Sequence, residues 1–149
     1  MKVCSPVTHE DFQKYYFLRW KMLRKPWGQA LGTERDELDK TSFHVMICEH
    51  DNNPIGVARL HFNDPEEAQI RYMAVDDKHQ HKGLGSLMMQ SLEKFAMEHN
   101  AKCIILNARE NAVPFYKKNG YSIIEESYIL FGEIQHFKMK KELKLLDET

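Results

Sequence analysis

The chain contains 149 residues with a formal net charge of −1, and 42% of its residues are hydrophobic. This composition is typical of one globular domain with its own core, and it gives no support for a nucleic-acid-binding or membrane-binding surface. No apolar run approaches the length of a membrane span, and we expect no signal peptide before the first predicted strand. The three scattered cysteines are consistent with reduced thiols. We therefore expect one cytoplasmic domain over residues 1–149, of which about 141–149 form a frayed tail.

The first predicted elements are a short strand over residues 2–6 and a helix that begins after Thr8. Thr8 and Asp11 have the spacing of a capping box, and Pro26 ends the helix. One face of this helix repeats at intervals of three and four residues and includes an arginine: Phe12, Tyr15, Tyr16, Arg19, Met22 and Leu23. The polar segment 29–40 that follows is predicted to be a mobile loop.

Three strands are predicted next, over 43–49, 55–62 and 69–75, with turns rich in Asn, Asp and Pro between them. A glycine-rich turn follows and leads into a periodic apolar helix over 84–97. The residues of this turn are Gln80, His81, Lys82, Gly83, Leu84, Gly85 and Ser86. Glycines at a helix N-terminus let backbone N–H groups approach a phosphate closely, and the helix dipole adds positive potential. The turn therefore predicts a phosphate-binding loop.

Two common phosphate-binding motifs do not fit this loop. The Walker motif requires Gly-Lys-Ser/Thr, whereas Lys82 precedes Gly83 here. The dinucleotide motif requires a third glycine where Met88 stands, and it should lie early in a βαβ unit. Both of these nucleotide-binding classes are therefore excluded.

The remaining elements are a buried strand over 102–107, a short helix over 112–118, and two strands over about 121–126 and 134–140. Together the elements follow the order strand, helix, three strands, helix, strand, helix and two strands. This order predicts a mixed α/β (α+β) fold with one central sheet.

Two motifs resemble the signatures of the GNAT superfamily of N-acetyltransferases. The loop matches Gln-x-x-Gly-x-Gly, the pyrophosphate loop of that family, and residues 73–76 look like the strand end before it. Residues 111–121 look like the second signature, Asn-x-x-Ala-x-x-Phe-Tyr-x-x-x-Gly-Phe. The resemblance covers roughly residues 42–140. It implies a mostly antiparallel central sheet, flanked by helices and splayed where acetyl-CoA binds.

The resemblance also implies which residues hold the cofactor. In the family, a bulge in the strand before the loop frees backbone groups, which pair with the pantetheine arm and polarise the thioester. Carried over to this chain, the residues that bind acetyl-CoA are Met73, Val75, Gln80, His81, Lys82, Gly83, Leu84, Gly85, Ser86 and Asn111. Asn111 also has the position of a helix N-cap, and the two roles can coexist.

Tyr116 is the catalytic residue that the second signature implies. A phenol with a pKa of about 10 is protonated at neutral pH and can donate a proton to the departing thiolate. The alternative is that Tyr116 only packs beside Phe115.

The general base is not assigned. Many relatives carry a glutamate on the strand before the loop, where this chain has Gln69 and Arg71. Glu66 and Glu67 are predicted to face solvent in the preceding turn.

Arg19, Arg59 and His136 are the candidates for binding the acceptor, and their surroundings resemble the ElaA-like branch of GNAT proteins. Guanidinium groups bind carboxylates and phosphates through paired hydrogen bonds, so we expect a small amine that carries an anionic group. The alternatives are that both arginines are structural ion-pair partners and that His136 is a core histidine. No histidines or cysteines have metal-ligand spacing, and no metal is expected.

The sequence thus predicts an acetyl-CoA-dependent N-acetyltransferase that acts on a small-molecule amine, with no nucleic-acid or membrane partner. A homodimer is compatible with this function. Two alternatives stay open. One is a non-catalytic acyl-CoA-binding regulatory module; the missing strand glutamate keeps it open, whereas Tyr116 and the intact loop favour the enzyme. The other is a protein-modifying acetyltransferase, to which the near-neutral charge gives no support.

Overall fold

A computed structural model describes residues 1–144, which form a mixed α/β fold. The strands are β1 (Val3–Cys4), β2 (Phe43–Cys48), β3 (Pro54–Asp64), β4 (Glu67–Val75), β5 (Cys103–Arg109), β6 (Ser122–Leu130) and β7 (Ile134–Glu142). The helices are α1 (His9–Leu23), α2 (Leu84–Glu98) and α3 (Val113–Lys118). The strands form one sheet in the order β1-β2-β3-β4-β5-β7-β6. The β4–β5 pair is parallel, whereas β1–β2, β2–β3, β5–β7 and β6–β7 are antiparallel, so the predicted fold class is confirmed.

The chain divides into two compact units. The first unit contains Met1–His61 and Tyr72–Leu92, and the second contains Phe62–Arg71 and the residues from Glu93 onwards. Strand β4 contributes its first half to the second unit and its last four residues to the first.

In the first unit, α1 begins at the predicted capping box. The Thr8 hydroxyl accepts from the Asp11 N–H at 3.0 Å, and the Asp11 carboxylate accepts from the Thr8 N–H at 3.0 Å. The apolar face of α1 then packs on β2 and β3 through a buried cluster of Tyr15, Leu18, Met46 and Val57. This packing follows from the helical spacing of the apolar residues.

Strand β3 is covered on both faces within the first unit. Val57 and Arg59 lie on the face that meets α1, while Gly56 points to the opposite face. A side chain at Gly56 would come within about 3.0 Å of the Met88 side chain of α2, so a glycine is needed there for the close approach of the helix.

In the second unit, β7 lies between β5 and β6. It pairs with β5 from Cys103↔Glu142 to Arg109↔His136. Glu93 of α2 belongs to this unit. Its carboxylate accepts from the Tyr121 hydroxyl at 2.9 Å and from the Lys141 ammonium of β7 at 3.0 Å.

Two sequence-based expectations need correction. The tail expected over about 141–149 begins too early, because residues 141–142 belong to β7 and Lys141 bonds to Glu93. Residues 145–149 lie outside the described part of the chain. The segment 29–40, expected to be a mobile loop, contains a 3-10 turn over Glu37–Lys40. Asp36 and Asp39 form a second capping box at its start, and the same two carboxylates pair with buried arginines.

Candidate active site

The glycine-rich loop joins the end of β4 to the start of α2. The Gln80 side-chain amide donates to the Val75 carbonyl at 3.0 Å, which ties the loop back to the strand. His81 and Gly83 take positive φ values of 66° and 79°. These turns lead the chain into the first residues of α2, whose N–H groups have no partner within the helix. The exposed backbone at Gly83 and the helix dipole together suit a bound phosphate.

The predicted positive side chains of the loop, His81 and Lys82, are exposed beside this backbone, whereas Leu84 is buried in the core. Gly85 and Ser86 are partly buried in the first turn of α2. The cofactor contacts predicted for these residues remain predictions. For Leu84 they involve only the main chain, because its side chain packs inward.

Strand β4 changes conformation just before the predicted thioester segment. Tyr72 has φ = 59°, a left-handed conformation that is unfavourable for a bulky residue. Upstream of it, β4 pairs with β5 from Glu67↔Cys103 to Ile70↔Leu106, and both strands continue beyond that register. Met73 and Val75 follow Tyr72 with half-buried side chains. A backbone irregularity therefore lies next to the segment whose main chain is predicted to receive the pantetheine arm.

Tyr116 lies in α3 of the second unit and is buried. Its ring meets those of Phe115 and Tyr121 at centroid distances of 5.1 and 6.1 Å. Burial raises the pKa of Tyr116 to about 12, with a smaller opposing effect of Arg109. The phenol therefore stays protonated at neutral pH, as a proton donor requires.

Asn111 lies in the 3-10 turn Glu110–Ala112 that precedes α3, and its side chain is exposed. The N-cap of α3 is Ala112, and no side chain caps the helix. The suggested capping role of Asn111 is therefore wrong, because the 3-10 turn shifts the helix start by one residue. Its contact with the cofactor remains a prediction.

The structure brings Arg19 and Arg59 together around one carboxylate. Arg19 donates to Asp39 at 2.9 Å, and Arg59 lies 3.2 Å from the same oxygen. Arg59 also binds both oxygens of Asp36, at 2.6 and 3.2 Å. Both arginines have no exposed surface. Burial alone would raise the pKa of Asp39, but Arg19 and the hydrogen bonds to the carboxylate outweigh it and lower that pKa.

A network of polar groups continues from this ion pair into the core. The Tyr15 hydroxyl accepts from Arg19 at 3.0 Å and lies 2.8 Å from Nδ1 of His44. Nε2 of His44 donates to the Asp39 carbonyl at 2.8 Å. Burial lowers the pKa of His44 below its ordinary value.

A groove of about 490 Å³ lies on the first unit between α1 and the segment after it. Its lining residues are His9, Phe12, Gln13, Tyr16, Arg35, Asp36, Asp39 and Lys40. A molecule in this groove would meet Asp36 and Asp39, and the buried Arg19 and Arg59 lie behind them.

His136 lies in the second unit, where its Nδ1 donates to the Ile134 carbonyl at 2.9 Å. Its ring stacks on Tyr128 at a centroid distance of 4.4 Å. These contacts account for the burial of His136, and its predicted contact with the acceptor remains a prediction.

The structure places one acidic residue differently from the sequence-based expectation. Glu67 is the first residue of β4 and is half-buried, so its predicted place in the turn is wrong. Its carboxylate and the Gln69 amide oxygen both accept from Asn63 at 3.0 Å. Glu66 is exposed in the turn and pairs with Lys102. These contacts leave the general base unassigned.

Three residues of the buried network are not among the site residues predicted from the sequence: Asp36, Asp39 and Tyr72. The spacing of Asp36 and Asp39, three residues apart before a hydrophobic stretch, is a signal for a capping box that could have shown them to be ordered. Tyr72 gives no such signal, since tyrosine rarely takes a positive φ.

Among residues 1–144, no helix is long and apolar enough to span a bilayer, and no group of three or more His, Cys, Asp or Glu side chains is placed to hold a metal ion.

Comparison with known proteins gives matches over most of the chain. Residues 9–121 match the profile of the acetyltransferase (GNAT) family. The uncharacterized N-acetyltransferase YjcF of Bacillus subtilis is 31% identical over 142 residues, which cover 95% of this chain and 100% of YjcF.

Solved structures also share the fold. Escherichia coli ElaA superposes with a TM-score of 0.77 at 19% identity, covering 95% of this chain and 98% of ElaA. A GNAT family acetyltransferase from Elizabethkingia anophelis with acetyl-CoA bound gives a TM-score of 0.60 at 19% identity, covering 72% of this chain and 80% of that one. Together with the glycine-rich loop, the family match establishes that this chain is a member of the GNAT family of acetyltransferases.

Proposed function

We propose that this protein transfers the acetyl group of acetyl-CoA directly to the primary amine of a small molecule. The observation that carries this proposal is the loop between β4 and α2, where positive φ values at His81 and Gly83 expose backbone at a helix N-terminus. That geometry suits the pyrophosphate of a CoA thioester. The acetyl-CoA bound to the structural neighbour from Elizabethkingia anophelis supports the same donor.

The proposed reaction needs few side chains. The neutral amine attacks the thioester carbonyl carbon, and the carbonyl oxygen gains negative charge. A backbone N–H in the segment from Met73 to Val75 stabilises that oxygen. When the tetrahedral intermediate collapses, the C–S bond breaks and Tyr116 donates its proton to the departing thiolate. The proton that the attacking nitrogen loses passes to solvent, and Tyr116 regains a proton from solvent. The buried, protonated phenol supports this assignment.

We further propose that the acceptor carries an anionic group. Asp36 and Asp39 line the groove of the first unit. The positive charges of Arg59 and Arg19 neutralise their two negative charges. These ion pairs carry no net charge, and the ammonium of Lys40, which also lines the groove, attracts an anion. Direct contact with the guanidinium of Arg59 would require Asp36 to move away, because Asp36 occupies both of its outer nitrogens.

The three free cysteines support a reducing, cytoplasmic location. A homodimer remains a prediction that the proposed chemistry does not require.

A colorimetric assay of free CoA tests the proposal across amino acids, amino sugars, polyamines and a lysine-rich peptide. We expect CoA release that depends on both acetyl-CoA and an amine. An amino acid should react with a higher kcat/KM than its uncharged amide. Binding of acetyl-CoA without release in any mixture would favour the non-catalytic module, and release with the peptide alone would favour a protein substrate. Equal rates with the acid and its amide would contradict the anionic acceptor.

A further inference from the structure

Tyr72 has a backbone conformation that a tyrosine does not adopt without support. Its φ of 59° lies in the left-handed region, where the side chain of a bulky residue crowds its own backbone. The residue is not at a surface turn, since its side chain is only 7% exposed. Residues in this conformation persist where the surrounding structure holds them, and they cluster at functional sites. The next residues, Met73 to Val75, carry the main chain proposed to receive the thioester.

Three arginines surround the Tyr72 ring. The guanidinium carbons of Arg19, Arg59 and Arg24 lie 4.3, 4.9 and 5.6 Å from the ring centroid. Arginine cations at this distance from an aromatic ring are attracted to its face, and the attraction is strong where water is excluded. Because Arg19 and Arg59 are fully buried, their contacts with the ring are shielded from water.

The arginines are themselves fixed by carboxylates. Arg59 makes a two-pronged contact with Asp36, and Asp39 bridges Arg59 and Arg19. Among residues 1–144, the Nε atoms of Arg19 and Arg59 are buried without a hydrogen-bond partner. An unpaired buried N–H is unfavourable, so each arginine carries a cost that its ion pairs must offset. Contact with the Tyr72 ring gives the two cations a further role.

We propose that Arg19 and Arg59 are positioning residues that act on acetyl transfer through Tyr72. They hold its ring, and the ring holds the left-handed backbone from which Met73 to Val75 extend toward the thioester. This inference rests on the proposed acetyltransferase function. It assigns the buried arginines to the acetyl-CoA side of the reaction. Substituting them should therefore change kcat by the same factor for every acceptor.

Substitutions at Tyr72 separate this role from simple packing. Tyr72→Phe keeps the ring and should keep most of the turnover of the folded enzyme. Tyr72→Leu fills much of the space but offers no aromatic face, and kcat should fall by about tenfold or more. Tyr72→Gly leaves a larger cavity, yet glycine adopts a positive φ without support. The expected order of kcat is therefore Phe, then Gly, then Leu, whereas a packing role predicts that Gly is worst.

A double-mutant cycle with Arg59→Lys gives a second, independent test. Lysine keeps the charge but loses the planar group that lies against the ring. Arg59→Lys should lower kcat equally for an anionic amine and its uncharged analogue, and it should have little further effect in the Tyr72→Gly background. Additive losses, a selective loss for the anionic amine, or a Leu variant as active as Phe would overturn the proposal.

Calorimetric titration with acetyl-CoA and with CoA, together with the CoA-release assay, distinguishes failure of the proposed function from failure of the positioning role. If the wild-type protein binds neither ligand, or releases no CoA with any amine, the proposed function fails. If the wild-type enzyme is active but the Tyr72 and Arg59 variants bind and turn over acetyl-CoA as it does, only the positioning role fails.

Discussion

At the scale of single residues, the hydroxyl of Tyr116 makes the most direct prediction. Tyr116→Phe should lower kcat by about a hundredfold, because the thiolate would leave without a proton donor. The KM for acetyl-CoA should change by less than about threefold, since only one hydroxyl is removed. Steady-state kinetics with the best acceptor from the screen measure both constants. A kcat of Tyr116→Phe within about threefold of wild type would show that Tyr116 only packs and is not the proton donor.

The pH dependence of kcat provides a separate check on Tyr116. Because burial raises its pKa to about 12, the phenol stays protonated through pH 10, where a solvent-exposed tyrosine is half ionised. The wild-type kcat should therefore show no loss between about pH 8 and 10. A fall centred near pH 10 that is absent from Tyr116→Phe would contradict the assigned pKa.

Sequence reasoning identified the unusual arginines but not what they do. Arg19 and Arg59 stand out because each lies on an apolar face, and burial of a charge needs a partner. Those partners, Asp36 and Asp39, lie in a polar segment whose composition indicates a loop and says nothing about its long-range contacts. The positive φ of Tyr72 could not be predicted from the sequence either. A tyrosine prefers a negative φ, and only tertiary contacts such as the one with Arg19 stabilise the observed conformation.

At the scale of elements, the loop between β4 and α2 has a matched control elsewhere in the chain. Gly83 and Gly28 have φ values of 79° and 69°, and a Cβ at either would meet nothing within 4 Å. Aspartate at either position should therefore cost similar backbone strain. Only Gly83→Asp adds a carboxylate where the phosphate is proposed to bind, so it alone should abolish the rise in Tm that acetyl-CoA causes.

Differential scanning fluorimetry with and without acetyl-CoA measures this difference. Gly28→Asp should keep the full ligand-induced shift, even if its Tm without ligand falls. An undiminished shift in Gly83→Asp, or equal loss in both variants, would contradict the assignment of the loop.

The elements themselves were largely predictable. The apolar periodicity of α2 reflects burial of one face, whereas the mostly apolar run of β3 reflects burial of both faces. Both elements lie within two residues of their predicted bounds. The observed end of an element differs from the predicted one where backbone hydrogen bonding, and not composition, decides how far the element extends. Strand β6 continues to Leu130 although its residues from Ser122 to Ile129 are exposed, because pairing with β7 satisfies its backbone.

At the scale of the whole molecule, His44 should set part of the stability in mild acid. Its folded-state pKa is lowered mainly by burial, and its unfolded-state pKa is near the ordinary value of 6.5. The unfolded chain therefore binds more protons than the folded one below that pH, and stability is lost as the pH falls through it. One such group changes the unfolding free energy by at most about 1.4 kcal/mol per pH unit.

Chemical denaturation at pH 7.5 and at pH 5.5 measures this effect. His44→Gln should reduce the pH dependence, whereas the exposed His50→Gln should leave it unchanged. An identical loss of stability in wild type and His44→Gln would assign the acid sensitivity to other groups.

The strand order has a consequence for the synthesis of the protein. Strand β7 lies between β5 and β6, yet it leaves the ribosome after both of them. Until residues 134–142 emerge, β5 lacks its antiparallel neighbour and β6 has no strand to join, so the sheet of the second unit cannot close on the nascent chain. A message cut short before this strand would yield a chain in which β5 has an open edge and β6 is unpaired, and such strands are templates for aggregation and targets for quality-control proteases.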